Sequence, residues 1–527
     1  MDAQDMEASV DPALLAAAAS NFASYPGPTS DVAAKEFLDR FSLPVIFSTL
    51  ESPNDVPGLE SSVVACLERI FKTSYGVSLL PHYMPYAKMG LKANSPLTRQ
   101  LACKAVARFL ENTDKDEGSG VQIMVENDIL PSIIVCLADG DESVAGAATE
   151  ALENLAKSTR GLELLFPSKA GDVMHLKELA MTGSSLVRIR ILATIAALFG
   201  ISSDTADAVY RSGLLSMFEQ ELNNTSDMLA ILNALEVLYE LAASPNGAKY
   251  LLTKNMLQRL AATISNSSVD SILRSRAIMI SARLLSLDIV YSAVDELDVK
   301  NVIQAIDMDL EVLKLTESDE HEVALIALGQ IGMVTRGAEL LLCNTCPTAR
   351  HVVNAVSPHQ WRNIKLAGTH ALASISGIER TQSTILLNDR AESCLRNLIY
   401  TVAGNSSKIS PSGLFLSLLQ QEPEIRLAAY RLIAGLVTRS WCLWEVCSKP
   451  DIVNLVTDPH TETTKEGMEL RHSCCVAINN SLMASDHRNE AAFSQVAEKL
   501  QVAVRNGPYL AKGRIEAQPI VITQERF

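Results

Sequence analysis

Apolar residues recur along the chain at three- and four-residue steps, a spacing that places side chains on one stripe of an α-helix. The clearest stripe consists of Val144, Ala148, Ala151 and Leu155. The small alanines in such a stripe allow a neighbouring helix to approach closely. The pattern therefore predicts helices that pack tightly on one another.

Helices of this kind repeat at a nearly constant interval. Each ends near an aliphatic residue, and in chain order these residues are Leu110, Leu155, Leu198, Leu241, Leu284, Ile331, Ile375, Leu436 and Leu482. The successive intervals are 45, 43, 43, 43, 47, 44, 61 and 46 residues. HEAT and armadillo units have about 40–47 residues. All intervals but the 61 fit that range.

A second feature recurs in the same frame. The segments STRGLELLF, SPNGAKYLL and VTRGAELLL place a glycine six residues after three of these helix ends, at Gly161, Gly247 and Gly337. We expect these glycines to take the left-handed conformation that ends one helix before the next begins.

The order of elements between these turns also indicates a fold. A short helix, an amphipathic helix, a polar turn and a long helix follow one another, which is the armadillo order. The sequence therefore predicts an all-α, armadillo/HEAT-like superhelix, a solenoid. The alternative is an irregular helical bundle whose regular spacing is coincidental.

The predicted organisation has three parts. Residues 1–30 are an acidic, mostly flexible tail that Pro26-Gly27-Pro28 closes. Residues 31–505 are the repeats, with an irregular loop near 404–413 (GNSSKISPSG) in the long interval. Residues 506–527 are a C-terminal tail.

Composition supports helices and narrows the choice of partner. Apolar residues make up 48% of the 527 residues but aromatic residues only 5%, a mixture that suits packed helices. The net charge of −16 would repel nucleic acids and anionic membranes, so we expect neither as a partner. The charge is uneven, at −19 for residues 1–322 and +3 for residues 323–527. Basic protein surfaces are the expected partners.

The start of the chain bears on its location. The segment MDAQDMEASVDP is acidic where a secretory signal would be positive, and no apolar run approaches the length of a membrane span. We expect a cytoplasmic protein that can also be nuclear. Its ten cysteines should then be reduced.

Motifs for catalysis, cofactors and metals are missing from the sequence. Neither G-x-x-x-x-G-K-[ST] nor G-x-G-x-x-G occurs. Cys343 and Cys346, with His351 nearby, lack a second cysteine pair at zinc-site spacing. Positions two and three residues after His472 hold Cys474 and Cys475, but on a helix these would splay to different faces. We expect no enzyme, no cofactor and no metal.

Two regions are candidates for partner binding. Residues 288–322 have a net charge of −9, and their candidate docking residues for a basic surface are Asp307, Asp309, Glu311, Glu317, Asp319, Glu320 and Glu322. The simpler interpretation is a solvated helix face. Trp441 and Trp444 are the second candidate, because tryptophan is enriched at interface hot spots; these rings could instead cap the core.

The inner groove of an armadillo protein is lined by its long helices. The residues one position before each helix end are Phe109, Asn154, Ala197, Glu240, Arg283, Gln330, Ser374, Gly435 and Ser481. Only one is Asn, whereas grooves that thread extended basic peptides carry ladders of Asn and Trp. This row favours docking of a folded partner.

The order of several segments resembles the proteasome non-ATPase regulatory subunit 5 family. The segments are GLELLF (161–166), RSGLLSMFEQEL (211–222), LAASPNGAKYLL (241–252), LFLSLLQQEPEIRLAAYRLIAGL (414–436) and NGPYLAKG (506–513). The similarity runs over roughly residues 95–513 and rests on the order of segments, since the family has no short binding signature.

This resemblance implies a chaperone for assembly of the base of the 26S proteasome regulatory particle. It would hold an ATPase subunit of the regulatory subunit 7 type by its C-terminal domain, contact other base subunits, and leave before the mature particle forms. We expect a monomer before binding. The alternative is an armadillo scaffold or adaptor in trafficking or the ubiquitin pathway.

Overall fold

The computed structural model describes residues 11–51, 56–113, 119–167, 175–217, 228–314, 316–343, 346–381, 383–405, 410–485 and 493–509. Every regular element in these ranges is a helix. The chain divides into two compact units, residues 1–247 and 248–527.

The helices of the first unit are α1 (Pro12–Ser24), α2 (Asp31–Arg40), α3 (Leu43–Glu51), α4 (Leu59–Ile70), α5 (Ser74–Leu79), a 3₁₀ turn (Leu80–Tyr83), α6 (Met84–Leu91), α7 (Pro96–Thr113), α8 (Ser119–Glu126), α9 (Leu130–Asp139), α10 (Glu142–Ala156), α11 (Thr159–Leu165), α12 (His175–Thr182), α13 (Ser185–Phe199), α14 (Ser203–Ser212) and α15 (Met228–Ala242). Helix α16 (Pro245–Thr253) crosses the division.

The helices of the second unit are α17 (Met256–Ser265), α18 (Ser271–Leu285), α19 (Asp288–Ala293), α20 (Glu296–Leu313), α21 (Asp319–Gly332), α22 (Thr335–Leu342), α23 (Ala349–Ala355), α24 (Arg362–Ser376), α25 (Asp389–Asn405), α26 (Pro411–Leu419), α27 (Pro423–Leu436), α28 (Ser440–Cys447), α29 (Pro450–Thr457), α30 (Lys465–Ala484) and α31 (Ser494–Asn506).

Long helices stack in series within each unit. In the first unit α4, α7, α10, α13 and α15 pack consecutively, and in the second α18, α21, α24, α27 and α30 do so. Each predicted helix-end residue lies near the end of a long helix and is at most 1% exposed. Short and medium helices precede the long ones, as in α22, α23 and α24. Each unit is an all-α array of armadillo/HEAT-like repeats, as predicted.

Small residues set the distance between neighbouring long helices. A Cβ atom added at Gly329 of α21 would lie 2.8 Å from the Cα atom of Ala371 in α24. One added at Gly332 would lie 2.4 Å from a side-chain carbon of Ile375. Contacts this short leave no room for a larger residue, because protein cores are close-packed.

The predicted role of the repeated glycines is wrong. Gly161, Gly247 and Gly337 do not adopt positive φ; each lies in the first turn of a short helix. A Cβ atom there would lie 1.9–2.0 Å from the carbonyl oxygen of the residue six positions earlier. Glycine is required because the new helix begins against the end of the previous one. A Cβ atom at Gly76 would meet the Ile70 carbonyl oxygen in the same way. The sequence analysis did not identify this glycine.

A basic residue recurs at the fourth position of five long helices, namely Arg99, Arg188, Arg274, Lys365 and Arg426. In the last four, the side chain donates to a backbone carbonyl of the preceding turn, at 2.8–3.0 Å. These bonds satisfy carbonyl groups that the turn leaves unpaired. The sequence analysis missed this position, although its spacing follows the repeat.

The N-terminal region differs from the predicted flexible tail. Residues 12–24 form α1, whose Leu15 and Ala19 are buried where the helix packs on α4. The Arg69 guanidinium donates to the carbonyls of Ala23, Tyr25 and Gly27, which holds the following turn. The prediction failed because it weighed local periodicity and not contacts over 40 residues. Residues 1–10 lie outside the described residues.

The 61-residue interval has a helical explanation. Helix α25, with 17 residues, stands where other repeats have a short helix. Residues 404–405 and 411–413 of the predicted loop belong to α25 and α26, and residues 406–409 lie outside the described residues. Buried Arg439 donates to both carboxylate oxygens of Glu392 and to the Ser376 carbonyl. This arginine ties the longer helix α25 to the end of α24.

We predict that Gly247→Ala lowers the free energy of unfolding by more than about 2 kcal/mol, because its Cβ atom would collide with the Leu241 carbonyl. The matched control is Gly146→Ala in α10, where nothing lies within 4 Å of the new Cβ atom and where a gain of about 0.5–1 kcal/mol is expected. Urea unfolding measures both. Equal effects would contradict the carbonyl contact.

We also predict that Ala148→Asp destabilises the first unit by more than about 3 kcal/mol, because it places an unpaired charge at a fully buried position. Gly146→Asp, at an exposed position of the same helix, should change stability much less. Calorimetry compares the two variants. Wild-type melting of Ala148→Asp would refute the burial of this helix face.

Candidate partner-binding surface

Each long helix of the second unit carries a stripe of exposed or half-exposed side chains. The stripe residues recur every three or four positions and are Arg276, Met279 and Arg283; Glu322, Ile326, Gln330 and Met333; Asn363, Leu366, His370 and Ser374; Leu427, Arg431 and Ala434; and Ser473, Val476 and Asn480. We call this set the long-helix face. It arises because the opposite sides of these helices are buried against neighbouring helices.

Contacts across the helices place these stripes side by side. The Arg431 guanidinium of α27 donates to His370 Nδ1 of α24 at 2.9 Å and to Glu379 at 2.6 Å. Burial, with Arg431 beside it, lowers the pKa of His370. The imidazole is therefore neutral at physiological pH and can accept this bond.

The centre of the long-helix face is apolar. Ile326 is 37% exposed and Met333 38% exposed, and Leu366, Leu427 and Val476 are half-buried. Methionine and arginine are enriched in protein interfaces, from which Lys and Asp are depleted.

The predicted groove row only partly coincides with this face. Arg283, Gln330, Ser374 and Ser481 are half-exposed in the second unit, whereas Gly435 is buried. In the first unit Phe109 and Asn154 are buried, and Asn154 Nδ2 donates to the Ala107 carbonyl of α7 at 2.9 Å. The one asparagine of the row is therefore buried, and its side chain joins two helices.

Much of the predicted acidic patch is engaged within the protein. Arg350 of α23 donates to Asp307 at 2.5 and 3.1 Å and to Glu311 at 2.7 Å. Lys314 also donates to Glu311, and the bonds from Lys314 and Arg350 lower the pKa of Glu311 to about 2. His351 Nε2 lies 3.3 Å from Asp307 Oδ1. These two acids hold α20 to α23.

Asp309 and Glu320 form a second internal cluster around one cation. Arg274 of α18 donates to Glu320 at 2.7 Å and lies 3.6 Å from Asp309. Among the described residues, Asp309 Oδ2 is buried without a hydrogen-bond partner. Burial and the neighbouring Glu320 raise the pKa of Asp309 to about 6, which Arg274 partly offsets. The cluster joins α18, α20 and α21.

Glu317, Asp319 and Glu322 remain as candidates from the acidic stretch. Glu317 and Asp319 are exposed and Glu322 is half-exposed; within the described ranges none of them forms an ion pair. Asp319 and Glu322 lie in the first turn of α21, where negative charge complements the helix dipole. Their docking role stays a prediction.

The two tryptophans lie on the short helix α28, away from the stripes of the long helices. Trp441 packs on Tyr400 of α25 at a ring distance of 5.7 Å. Trp444 is 46% exposed and meets Phe493 edge-on at 5.1 Å. Both rings anchor α28 to neighbouring elements, and the described contacts do not join them to the acidic residues. Partner contact by Trp444 stays a prediction.

The cysteine and histidine residues that were considered as metal ligands do not lie together around one position. Cys343 is half-exposed and Cys346 exposed, whereas His351 is buried against Asp307. Cys474 and Cys475 are both buried, and burial raises the pKa of Cys475 to about 11. In the part of the chain that the structure describes, no group of three His, Cys, Asp or Glu side chains could hold a metal ion.

Among the described helices, none is by itself long and apolar enough to cross a bilayer, and only the pair α8 and α9, bent by 77°, has the combined length and apolar composition.

Comparison with known proteins gives the family. The sequence pattern described as proteasome non-ATPase 26S subunit matches residues 31–521. The chain belongs to this family. Its role is therefore proteasome-related, and its partners are to be sought among proteasome components.

The solved structures that the chain matches include two engineered proteins. The first is 15% identical, with a TM-score of 0.41, and the match covers 80% of this chain and 99% of that one. The second is 16% identical, with a TM-score of 0.37, and covers 51% and 97%. No curated protein matches the chain.

We predict that Asp309→Asn stabilises the protein at pH 7.5. The pKa of Asp309 is about 6 in the folded protein and about 3.9 in the unfolded chain. The folded state therefore binds the Asp309 proton more tightly. The stability that this proton contributes is complete below pH 4 and is lost as the pH rises through 6. The variant avoids this loss, and we expect a gain of about 1–2 kcal/mol at pH 7.5 that disappears near pH 4.

Urea unfolding between pH 4 and 7.5 checks this prediction, with Asp319→Asn as the control at an exposed carboxylate. A gain for Asp309→Asn that did not depend on pH would rule out the shifted carboxyl group as its source.

Proposed function

We propose that this protein is a chaperone for assembly of the base of the 26S proteasome regulatory particle. It holds an ATPase subunit of the regulatory subunit 7 type by its C-terminal domain, and it leaves before the mature particle forms. It works without catalysis or a cofactor, in the cytoplasm, with the nucleus as a second location.

The family match over residues 31–521 is the observation that carries this proposal, because it covers most of the chain and names a proteasome component that is not an ATPase. The segment order that resembles regulatory subunit 5 supports the more specific role. A protein that assists assembly must bind by contact and later be displaced, which requires a surface but no reaction chemistry.

The long-helix face supports the same role. It combines half-exposed aliphatic side chains with Arg431, whose guanidinium is held by His370 and Glu379. Its side chains stand on rigid helices and lose little conformational freedom on binding, which favours a folded partner. Exposed Glu317 and Asp319 add negative charge near the start of α21, which would speed encounter with a basic surface.

Affinity purification from cells, followed by mass spectrometry, tests the proposed partner. The expected result is recovery of proteasomal ATPases and other base subunits without the mature core particle. Recovery of trafficking or ubiquitin-pathway components without ATPases would instead support a scaffold or adaptor.

We predict that Ile326→Glu combined with Met333→Glu weakens binding of the ATPase C-terminal domain at least tenfold, because both residues are exposed on the long-helix face. A tenfold loss corresponds to about 1.4 kcal/mol. The matched control is Met308→Glu combined with Val312→Glu on α20, two residues that are exposed but lie outside this face.

Titration calorimetry with purified proteins measures both pairs, after unfolding curves have shown that each variant is folded. Equal affinities for the two double variants would exclude the long-helix face as the binding site. The proteasomal role would then still rest on the purification.

A further inference from the structure

Two cysteines of neighbouring helices meet in the core of the first unit. Cys103 lies on α7 and Cys136 on α9, and these helices pack against each other. Both side chains are fully buried, and the Cys103 thiol forms a hydrogen bond with Cys136. The Cys136 thiol itself donates to the Leu91 carbonyl oxygen at 3.3 Å. The core of this unit therefore holds two thiols in contact.

The Arg99 guanidinium lies beside this pair. Arg99 is the fourth residue of α7, and the equivalent cations of four other long helices donate to a carbonyl of the preceding turn. Within the described part of the chain, the Nε and Nη2 atoms of Arg99 are instead buried without a hydrogen-bond partner. A guanidinium keeps its charge at every physiological pH, so buried donors of this kind need an acceptor.

A thiolate at Cys136 would supply that acceptor. Loss of its proton gives up the bond to the Leu91 carbonyl and leaves an anion that accepts from both Cys103 and Arg99. The Cys103 hydrogen bond, together with Arg99, lowers the pKa of Cys136 to about 7, against the opposing effects of burial and of Asp139. The same hydrogen bond and burial raise the pKa of Cys103. At neutral pH the pair therefore combines a thiolate with a neighbouring thiol.

Other buried cysteines of the chain show what burial does by itself. Cys66 is 1% exposed and Cys447 is 4% exposed. Burial raises the pKa of each to about 12, which keeps both protonated. The thiolate is the nucleophilic form of cysteine, and a neighbouring cation is a usual means of stabilising it. Cys136 differs from these two residues because Arg99 and Cys103 stabilise its anion.

We propose that Cys136 and Cys103 form a peroxide-sensitive dithiol, a modification site in the first unit that does not depend on the proposed partner. The Cys136 thiolate attacks hydrogen peroxide, an S–O bond forms, the O–O bond breaks, and the departing hydroxide takes a proton from water. The Cys103 sulfur then attacks the sulfur of this sulfenic acid, and its proton leaves with the hydroxyl group as a second water. The two cysteines lose two electrons, and one peroxide is reduced to two waters.

Burial determines which oxidants can reach the site. Because both sulfur atoms are fully buried, a reagent must enter during local opening of α7 and α9. Hydrogen peroxide is small and uncharged, whereas aromatic disulfide reagents are bulky. The oxidised form links two helices of one repeat, and reduction by a thiol restores the pair.

Hydrogen peroxide treatment of the folded full-length protein tests this proposal. Differential isotopic alkylation after unfolding, read by mass spectrometry, gives the oxidised fraction of each cysteine. We expect Cys136 and Cys103 to be oxidised together, at least about tenfold faster than Cys66 and Cys447. Peptide mapping without reduction should show a link between Cys103 and Cys136. Equal rates at all four cysteines, or the absence of this link, would overturn the proposal.

Removal of the second thiol separates the two steps. In Cys103→Ser the sulfenic acid at Cys136 has no thiol to attack it, so dimedone should label Cys136 at least about fivefold more than in the wild type. In Cys136→Ser, Cys103 should stay reduced under the same treatment. Oxidation of Cys103 at the wild-type rate in that variant would show that Cys136 is not the attacking group.

Arg99→Gln tests the positioning role of the cation. The rate of Cys136 oxidation should rise with pH through an inflection near 7 in the wild type, and this inflection should move to higher pH in the variant. The matched control is Arg188→Gln, which removes the equivalent cation of α13, bonded to the Gly183 carbonyl; its pH profile should match the wild type. An unchanged profile in Arg99→Gln would refute the role of Arg99. Unfolding curves show which variants are folded, and the wild-type rates decide the proposal without them.

Discussion

Close contact between successive long helices is the constraint on which both units depend. Each long helix buries a stripe of aliphatic and small residues against the next, and glycine or alanine at the crossing sets the distance, as at Gly329 and Ala371. Since repeats contact mainly their neighbours, stability is built up one interface at a time. In the second unit the same arrangement leaves a stripe of each long helix exposed or half-exposed, and these stripes form the long-helix face.

Polar interactions join the helices where burial alone would not define their positions. Arginines at the fourth position of the long helices bind the carbonyls of the preceding turns, and Arg274 and Arg350 collect acids from α20 and α21. Buried or half-buried charges need such partners, since an unpaired one is costly. Five of the eleven acidic residues in 288–322 therefore pair with cations of the second unit, namely Glu296, Asp307, Asp309, Glu311 and Glu320. Of the candidate docking residues, Glu317, Asp319 and Glu322 form no ion pair within the described ranges.

The proposed function follows from a surface and not from a reaction centre. Membership of the proteasome non-ATPase 26S subunit family identifies the assembly to which the protein relates. The stripes of α21, α24 and α27 form a rigid face of mixed polarity with an apolar centre, which supports the proposed binding of another folded domain. Under the proposed chaperone role, the same stripe must be released later, which is easier for a modest surface of mixed polarity than for an extensive apolar one.

The sequence by itself determined the fold class, the repeat period and the end of each stacked long helix from α7 onward, because helical periodicity is a local property that successive residues express. It also indicated the family, through the order of segments across the chain. Only the tertiary structure decided what Gly161, Arg69 and Asp307 do. Gly161 makes room for the carbonyl of the preceding helix, Arg69 holds a turn more than 40 residues away, and Asp307 pairs with an arginine 43 residues later. The stripe of the long-helix face became visible for the same reason, since exposure depends on which neighbours cover a helix and not on the residues of that helix alone.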